Sequence, residues 1–160
     1  MKKTITTYIP PHSDFVSEKF INTIMLDGKK TVARRIFNMM LSELERRGNK
    51  NSKEVFIRAI DNAKPTMEVR PKRVGGAVYQ VPFEVPVKRQ QMLAFRWIIT
   101  ASRKRKGMPM YKRLSAEILE AAEGTGYSIK KKDDVEKMAQ ANRAFAHYAR
   151  FNKNKTAKKK

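Results

Sequence analysis

The sequence predicts a mainly α-helical protein in which a six-helix body carries a protruding two-stranded antiparallel β-ribbon. Three observations support this prediction. Apolar residues recur at helical spacing over most of the chain, the period changes to two between residues 78 and 87, and a Gly75-Gly76 pair precedes that change. Since 160 residues suffice for one domain, we expect a single compact unit. The predicted parts are an extended basic arm over 1–12, a helical domain over 13–151 with the ribbon at about 67–87, and a disordered Lys-rich tail over 152–160.

Each predicted helix has its own boundary signals. Ser13 can cap the first helix, and Gly48 suits the position just beyond the second. Asp133, with Glu136 three residues later, predicts a capping box that opens the sixth helix. The fourth helix is apolar on most sides, which is typical of a helix in the centre of a core. The predicted helices span residues 13–25, 30–47, 51–64, 88–106, 110–123 and 133–148.

The ribbon is predicted from strands over 67–74 and 78–87, joined by the Gly-Gly turn. Pro82 and Pro86 both lie in the second predicted strand, at positions of the same parity. Both missing N–H groups would therefore lie on one edge, where they would block pairing with a third strand. We expect a ribbon that stands alone rather than part of a larger sheet.

Composition excludes several classes of protein. Lys and Arg number 36 and Asp and Glu 15, and the net charge of +21 favours a polyanionic partner. The chain has no cysteine, and its two histidines, His12 and His147, are far apart, so we expect no metal or other cofactor. No apolar run reaches 18 residues, so no membrane span or membrane partner is expected. Without a phosphate-binding Gly-rich loop, or a nucleophile or acid near His147, an enzyme with a small-molecule substrate is not predicted.

The segment from 85 to 116 concentrates the positive charge, with nine basic residues and no acid. Arg89, Arg96 and Arg103 are seven residues apart and therefore form one stripe along the fourth helix. A solvated basic face is the simpler alternative, but a surface helix that faces only water normally mixes charge signs. The pattern favours contact with a polyanion.

The fifth predicted helix carries its charges against the helix macrodipole. Lys112 and Arg113 lie in its first turn, and Glu120 and Glu123 lie in its last. A phosphate bound at the N-terminus would reverse the unfavourable interaction. The alternative is that exposed charges cost little at physiological salt.

Three further side chains have both a functional and a structural interpretation. Tyr79 is the best candidate for base stacking, because ribbon tips are exposed, whereas most other aromatic residues fit a core. Asn142 is interpreted as a hydrogen-bonded interior polar group, with contact to a partner as the weaker alternative. His147 is interpreted as a structural histidine.

Four sequence blocks then resemble a known family. FINTIMLDGKK, KPTMEVRPKRVGGAVYQVPFEV, LAFRWIITASRKRKG and KMAQANRAFAHYAR, in this order, are similar to small-subunit ribosomal protein seven of the bacterial and organellar type, over about residues 13–150. The resemblance implies a structural protein that binds the 3′ major domain of small-subunit ribosomal RNA and nucleates assembly of the head. It also implies a place beside the exit-site tRNA and the mRNA, with ribosomal proteins nine and eleven as neighbours.

The implied location is the ribosome, in the cytoplasm or in an organelle that encodes the chain. A different class remains open as an alternative, because a basic β-ribbon on a helical body also suits an architectural protein that inserts into the minor groove of DNA.

The expected contact residues follow from the matched positions and from the basic clusters. The resemblance implies ribosomal RNA contacts for Lys29, Lys30, Arg70, Lys72, Arg73, Arg89, Arg96, Arg103, Lys104, Arg105, Lys106 and Lys112. The basic clusters add Lys2, Lys3, Arg34, Lys88, Arg113, Lys130 and Lys131 to this set. The resemblance places Gly75, Gly76, Tyr79, Arg143, Tyr148 and Arg150 on the side of the exit tRNA and mRNA.

Overall fold

A computed structural model describes the backbone of residues 14–152 and the side chains of residues 14–149. The predicted arm, with Lys2 and Lys3, and all of the predicted tail except Asn152 lie outside the described residues. The described chain has six α-helices, two strands and a 3₁₀ segment, so the prediction of a mainly α-helical body with a β-ribbon is confirmed. The elements are α1 (Phe15–Ile24), α2 (Lys30–Arg46), α3 (Ser52–Ala63), β1 (Met67–Val74), β2 (Ala77–Glu84), α4 (Val87–Lys104), α5 (Met110–Ala122), α6 (Gly126–Ala141) and the 3₁₀ segment (Arg143–Asn152).

An aromatic cluster lies at the centre of the helical body. Phe20 of α1 is fully buried, and its ring contacts those of Phe37, Phe56 and Phe95 edge to face, with centroid distances of 6.1, 4.9 and 5.1 Å. Edge-to-face pairs add to the stabilisation that apolar burial provides. Since Phe95 and Ile98 of α4 are completely buried, the predicted central position of this helix is confirmed.

The ribbon is a two-stranded antiparallel sheet with a two-residue turn. Gly75 and Gly76 have φ angles of 57° and 91°, and residues other than glycine adopt such positive φ angles only at an energetic cost. Val74 opposite Ala77 is then the first hydrogen-bonded pair, and every second pair follows it. Pro82, opposite Val69, falls at a position outside this bonding, so its nitrogen faces the free edge as predicted.

Pro86 contradicts the prediction made for it. The strand β2 ends at Glu84, and Pro86 is the N-cap residue of α4, with φ of −60° and ψ of 145°. Its fixed φ and missing N–H suit a helix start, where no intrahelical partner exists for that donor. Pro86 therefore helps to end the ribbon and does not block its edge.

The predicted start of α6 is also wrong. The helix begins at Gly126 rather than Asp133, so Asp133 and Glu136 lie inside it and form no capping box. Glu136 instead accepts hydrogen bonds from the backbone N–H and the hydroxyl of Thr66, both at 2.9 Å, and so joins α6 to the start of the ribbon. The spacing of Asp133 and Glu136 had predicted a helix start, whereas Glu136 uses its carboxylate for Thr66 and the helix runs through both positions.

Two smaller corrections concern helix ends. Asp14, not Ser13, caps α1: its carboxylate accepts the backbone N–H of Ser17 at 2.8 Å. At the other end of the chain α6 stops at Ala141, short of the predicted residue 148. Asn142 is its half-buried C-cap, and its side chain donates to the carbonyl of Met138 at 2.8 Å, so it is not an interior polar group.

Candidate nucleic-acid interface

The structure separates the predicted RNA-binding cations by whether they have a partner inside the protein. One group is held by carboxylates, by backbone carbonyls or by a tyrosine hydroxyl. The other has neither an ion pair nor a side-chain hydrogen bond within residues 14–149. The first group comprises Lys30, Arg34, Arg70, Lys72, Arg89, Arg103, Lys104, Arg105 and Arg113. The second comprises Lys29, Arg73, Lys88, Arg96, Lys106, Lys112, Lys130 and Lys131.

The exposed side of α4 brings three of these cations together. Lys88, Arg89 and Arg96 line a shallow depression together with Met92 and Leu93. Arg96 is exposed and has no acidic partner within the described residues. The depression therefore presents positive charge beside two apolar side chains, which suits a sugar-phosphate chain.

The end of the α4 stripe is tied to the body. Arg103 reaches across to α1 and donates to the backbone carbonyl of Ile24 at 3.2 Å. In the same region Lys104 donates to the hydroxyl of Tyr127 at 2.5 Å and lies 4.2 Å from the centre of that ring. This hydrogen bond from a cation lowers the pKa of Tyr127.

A fully buried carboxylate, Glu117, organises the junction of α4, α5 and α6. One of its oxygens accepts from Arg105 at 2.8 Å. The other accepts the backbone N–H of Ser128 at 2.9 Å and its hydroxyl at 2.8 Å. The hydrogen bonds that Arg105 donates to Glu120 and Glu117 raise the pKa of Arg105 against the opposing effect of burial. Glu117 therefore caps the first turn of α6, where backbone N–H groups have no intrahelical partner.

The start of α5 shows how its adverse charges are accommodated. Arg113 folds back and donates to the carbonyls of Met108 and Arg105, the latter at 2.9 Å. These carbonyl dipoles offset the repulsion between the guanidinium group and the helix N-terminus. Of the two cations in this first turn, only Lys112 has no side-chain partner within residues 14–149, so a phosphate at this N-terminus stays a prediction that rests on Lys112.

The residues predicted on the exit-tRNA and mRNA side only partly come together. Tyr79 packs against Phe145 and Tyr148, with ring centroids 5.2 and 5.3 Å apart, and Lys72 donates to the carbonyl of Tyr148 at 2.5 Å. The 3₁₀ segment thus covers the middle of the ribbon, and Tyr79 is half-buried rather than free to stack on a base.

The remaining residues of that set have different surroundings. Gly75 and Gly76 form the exposed turn, and Arg143 is exposed beside a cleft that Pro82 also lines. Arg150 has its backbone in the 3₁₀ segment, but its side chain is outside the described part. His147 makes a 2.8 Å hydrogen bond with the carbonyl of Ala144, which agrees with a structural role.

Sequence reasoning missed the buried carboxylates that hold the arginines. Glu18, Glu68 and Glu117 are at most 7% exposed, and each has at least one basic partner. Glu117 lies on the apolar stripe of α5, three residues after Leu114 and four before Ala121. An acid at such a position must find a partner when buried, so this spacing was the available signal.

Glu68 joins the root of the ribbon to α4. It accepts the Nε–H of Arg89 at 2.8 Å and the Nε–H of Arg70 at 2.6 Å. Burial opposes ionisation of Glu68, but the hydrogen bonds from Arg89 and Arg70 outweigh it and lower the pKa. The ion pairs hold the first turn of α4 against β1.

This pKa shift predicts a pH dependence of stability. Because the folded pKa lies below the ordinary value of 4.5, ionised Glu68 stabilises the fold above that value, and the contribution is lost as the pH falls through the folded pKa. The Glu68→Gln variant should therefore lose less stability than the wild type over this acid window. Urea unfolding at a series of pH values measures the difference, with Glu84→Gln on the same ribbon as the control. Parallel acid limbs for wild type and Glu68→Gln would contradict the prediction.

No helix within residues 14–152 combines the length and the apolar character needed to cross a membrane.

Comparison with known proteins identifies the family to which the chain belongs. The family described as Ribosomal protein S7p/S5e matches residues 1–143 of the chain.

Curated relatives carry the name small ribosomal subunit protein uS7. One, from Pseudothermotoga lettingae, is 53% identical over 138 residues, which are 86% of this chain and 89% of the relative. Another, from Roseiflexus castenholzii, is 47% identical over 152 residues, which are 92% of this chain and 97% of the relative. The chain therefore belongs to the uS7 family of structural, non-enzymatic proteins of the small ribosomal subunit.

Proposed function

We propose that the chain binds the 3′ major domain of small-subunit ribosomal RNA and nucleates assembly of the subunit head. The observation that carries the proposal is the group of exposed cations without acidic partners in the described residues, above all Arg96 on α4. By contrast, buried carboxylates pair with Arg34, Arg70, Arg89 and Arg105. A basic side chain that is left unpaired on a charged protein adds to the self-repulsion of the fold. Contact with RNA phosphates accounts for its presence, because these groups are anionic and closely spaced.

The two groups of cations have different roles in this proposal. Those held by Glu18, Glu68 or Glu117 keep neighbouring elements together and set the shape of the surface. The unpaired group supplies the charge that neutralises phosphates. Recognition by shape and backbone agrees with the way proteins bind folded RNA, whose deep major groove side chains do not read.

We also propose that the ribbon turn and the 3₁₀ segment border the exit-site tRNA and the mRNA, with ribosomal proteins nine and eleven as neighbours. Support comes from the family and from the matched positions of Gly75, Gly76 and Arg143. The two turn residues, Gly75 and Gly76, have no side chain that could act as the apolar wedge that minor-groove DNA binders insert between base pairs. Duplex DNA should therefore compete poorly with a 3′ major domain RNA fragment for the chain, and effective competition would favour the architectural DNA-binding alternative.

The Arg96→Ala variant tests the proposal at its main residue. We expect binding to a 3′ major domain fragment to weaken about tenfold, since one charge-assisted hydrogen bond is lost, and the salt slope to fall by about one. Filter binding measures both quantities, and thermal melting should show an unchanged fold, because Arg96 has no partner within the described residues.

Arg46→Ala is the matched control. It removes the same charge from an exposed helix position, but Arg46 lies beside Glu43, at 3.7 Å. This variant should bind RNA almost as tightly as the wild type. Equal losses for Arg96→Ala and Arg46→Ala would show that only net charge matters and would contradict the assignment of the α4 surface.

A further inference from the structure

A buried acid in the basic root of the ribbon needs an explanation. Glu68 is 7% exposed and sits where we propose that RNA binds, although a carboxylate repels phosphate. It lies on the same face of β1 as Arg70, two residues along, and α4 brings Arg89 to it from the other side. The three groups together carry one net positive charge.

The atoms used in these contacts leave part of each arginine unoccupied. Arg89 bonds to both Glu68 oxygens through Nε alone, at 2.9 and 2.8 Å, and its two Nη groups make no hydrogen bond within residues 14–149. Arg70 uses Nε and Nη2 and lies 5.7 Å from the ring centre of Phe83, which further restricts its guanidinium plane. Both side chains are about half exposed, at 49% and 50%.

We propose that Glu68 is a positioning residue for RNA phosphate: it holds Arg70 and Arg89 so that their unused N–H groups form a pre-oriented fork for phosphate oxygens. The proposal rests on the proposed function and adds to it a role for an acidic residue within the basic surface. A guanidinium presents several donors in one plane, so a contact at Nε leaves the outer donors available and fixes their direction. Ordering a long side chain before binding removes an entropic cost that binding would otherwise carry.

The position of the fork agrees with the rest of the surface. Arg89 also lines the depression on α4 with Lys88 and Arg96, so a phosphate at the fork continues the chain of cations along that helix. Glu68 thereby links the ribbon to the α4 surface as one binding face. The competing interpretation is a purely structural ion pair that holds the ribbon root and makes no difference to RNA once the protein is folded.

The direction in which Glu68→Gln changes the affinity for RNA distinguishes these two interpretations. Glu68→Gln removes a negative charge from the binding face, so electrostatics alone predicts tighter RNA binding. Loss of the fork predicts weaker binding, by about threefold to tenfold for each arginine that must then be ordered on binding. Filter binding to the 3′ major domain fragment at fixed salt measures the change, with circular dichroism at the assay temperature to show that the protein is folded.

Glu84→Gln is the matched control. Glu84 is an exposed acid on β2 with no ion pair in the described chain, and its removal should leave binding unchanged or slightly tighter. Glu68→Gln that binds as tightly as Glu84→Gln, or more tightly, would overturn the inference.

A double-mutant cycle shows whether Glu68 acts through Arg89. In an Arg89→Ala background the loss caused by Glu68→Gln should shrink, because one of the two positioned side chains is gone. An equal loss in both backgrounds would overturn the inference. Should Glu68→Gln fail to fold, Arg89→Lys replaces it in the test, since it keeps the charge but not the planar fork, and undiminished RNA binding by Arg89→Lys would also overturn the inference.

The outcomes also distinguish this inference from the proposed function. If the wild type binds the fragment with a steep salt dependence and Arg96→Ala weakens it, the function stands whatever Glu68→Gln does. If the wild type itself shows no salt-dependent binding, the function fails before Glu68 is tested.

Discussion

Raising the salt concentration from 50 to 200 mM should weaken binding of the chain to a 3′ major domain RNA fragment by about 10³–10⁵. Each phosphate that a Lys or Arg neutralises releases condensed counterions, so the affinity falls as a power of the salt concentration. About six neutralised phosphates are enough for a loss of this size. The unpaired cations, which include Arg73, Lys88, Arg96, Lys106 and Lys112, supply contacts of that order.

A filter-binding titration in KCl measures the slope of log affinity against log salt. A nearly flat line would contradict electrostatic binding and, with it, the proposed role of the α4 surface. Arg96→Ala provides the internal check, because the slope should fall by about one for that variant and stay close to the wild-type value for Arg46→Ala.

Glu117→Ala should destabilise the fold by about 2–5 kcal/mol. The substitution leaves the buried N–H and hydroxyl of Ser128 without their acceptor, removes the cap of α6 and takes one carboxylate from Arg105. An unsatisfied buried donor costs about 1–3 kcal/mol, which is more than its hydrogen bond contributes net when formed. We therefore expect α6, and the 3₁₀ segment that follows it, to lose its attachment to α5.

Urea unfolding followed by far-ultraviolet circular dichroism measures this loss. Glu120→Ala is the control, since Glu120 also pairs with Arg105, at 2.5 Å, but its side chain is 38% exposed and accepts no hydrogen bond from a buried backbone donor within residues 14–149. An ion pair of that exposure is worth about 1 kcal/mol or less. Similar losses for both variants would show that the pairing with Arg105, and not the buried contact with Ser128, is what matters.

Close packing at the same junction explains one glycine. A Cβ at Gly126 would meet the side chain of Glu120 at 3.0 Å and the Glu117 carboxylate oxygen at 3.3 Å, and the φ angle there is 90°. The first residue of α6 must therefore be small for the carboxylate of Glu117 to reach Ser128. The sequence predicted a fifth helix that ends at residue 123 and a sixth that begins at residue 133, so it assigned Gly126 to neither helix.

The structure sorts the cations predicted to contact RNA by whether they have a partner inside the protein. The concentration of basic residues between 85 and 116 is a property of the sequence. The family that the four matching sequence blocks suggested is confirmed. The sequence alone could not predict which of these cations have a partner inside the protein and which do not. The sequence does not distinguish Arg105 and Arg113 from Arg96. In the structure Arg105 and Arg113 donate hydrogen bonds to other groups of the protein, whereas Arg96 faces solvent.

The sequence by itself determined the elements and the chemistry of the partner. Helical and strand periodicities, the Gly75-Gly76 turn and the net charge of +21 are local or additive properties, so they can be read without coordinates. Only the tertiary structure decided where α6 begins, that Pro86 starts a helix, and that Glu18, Glu68 and Glu117 neutralise particular arginines. Those outcomes depend on groups far apart in the chain, and a buried carboxylate takes its partner from whichever cation the packing brings within hydrogen-bonding distance.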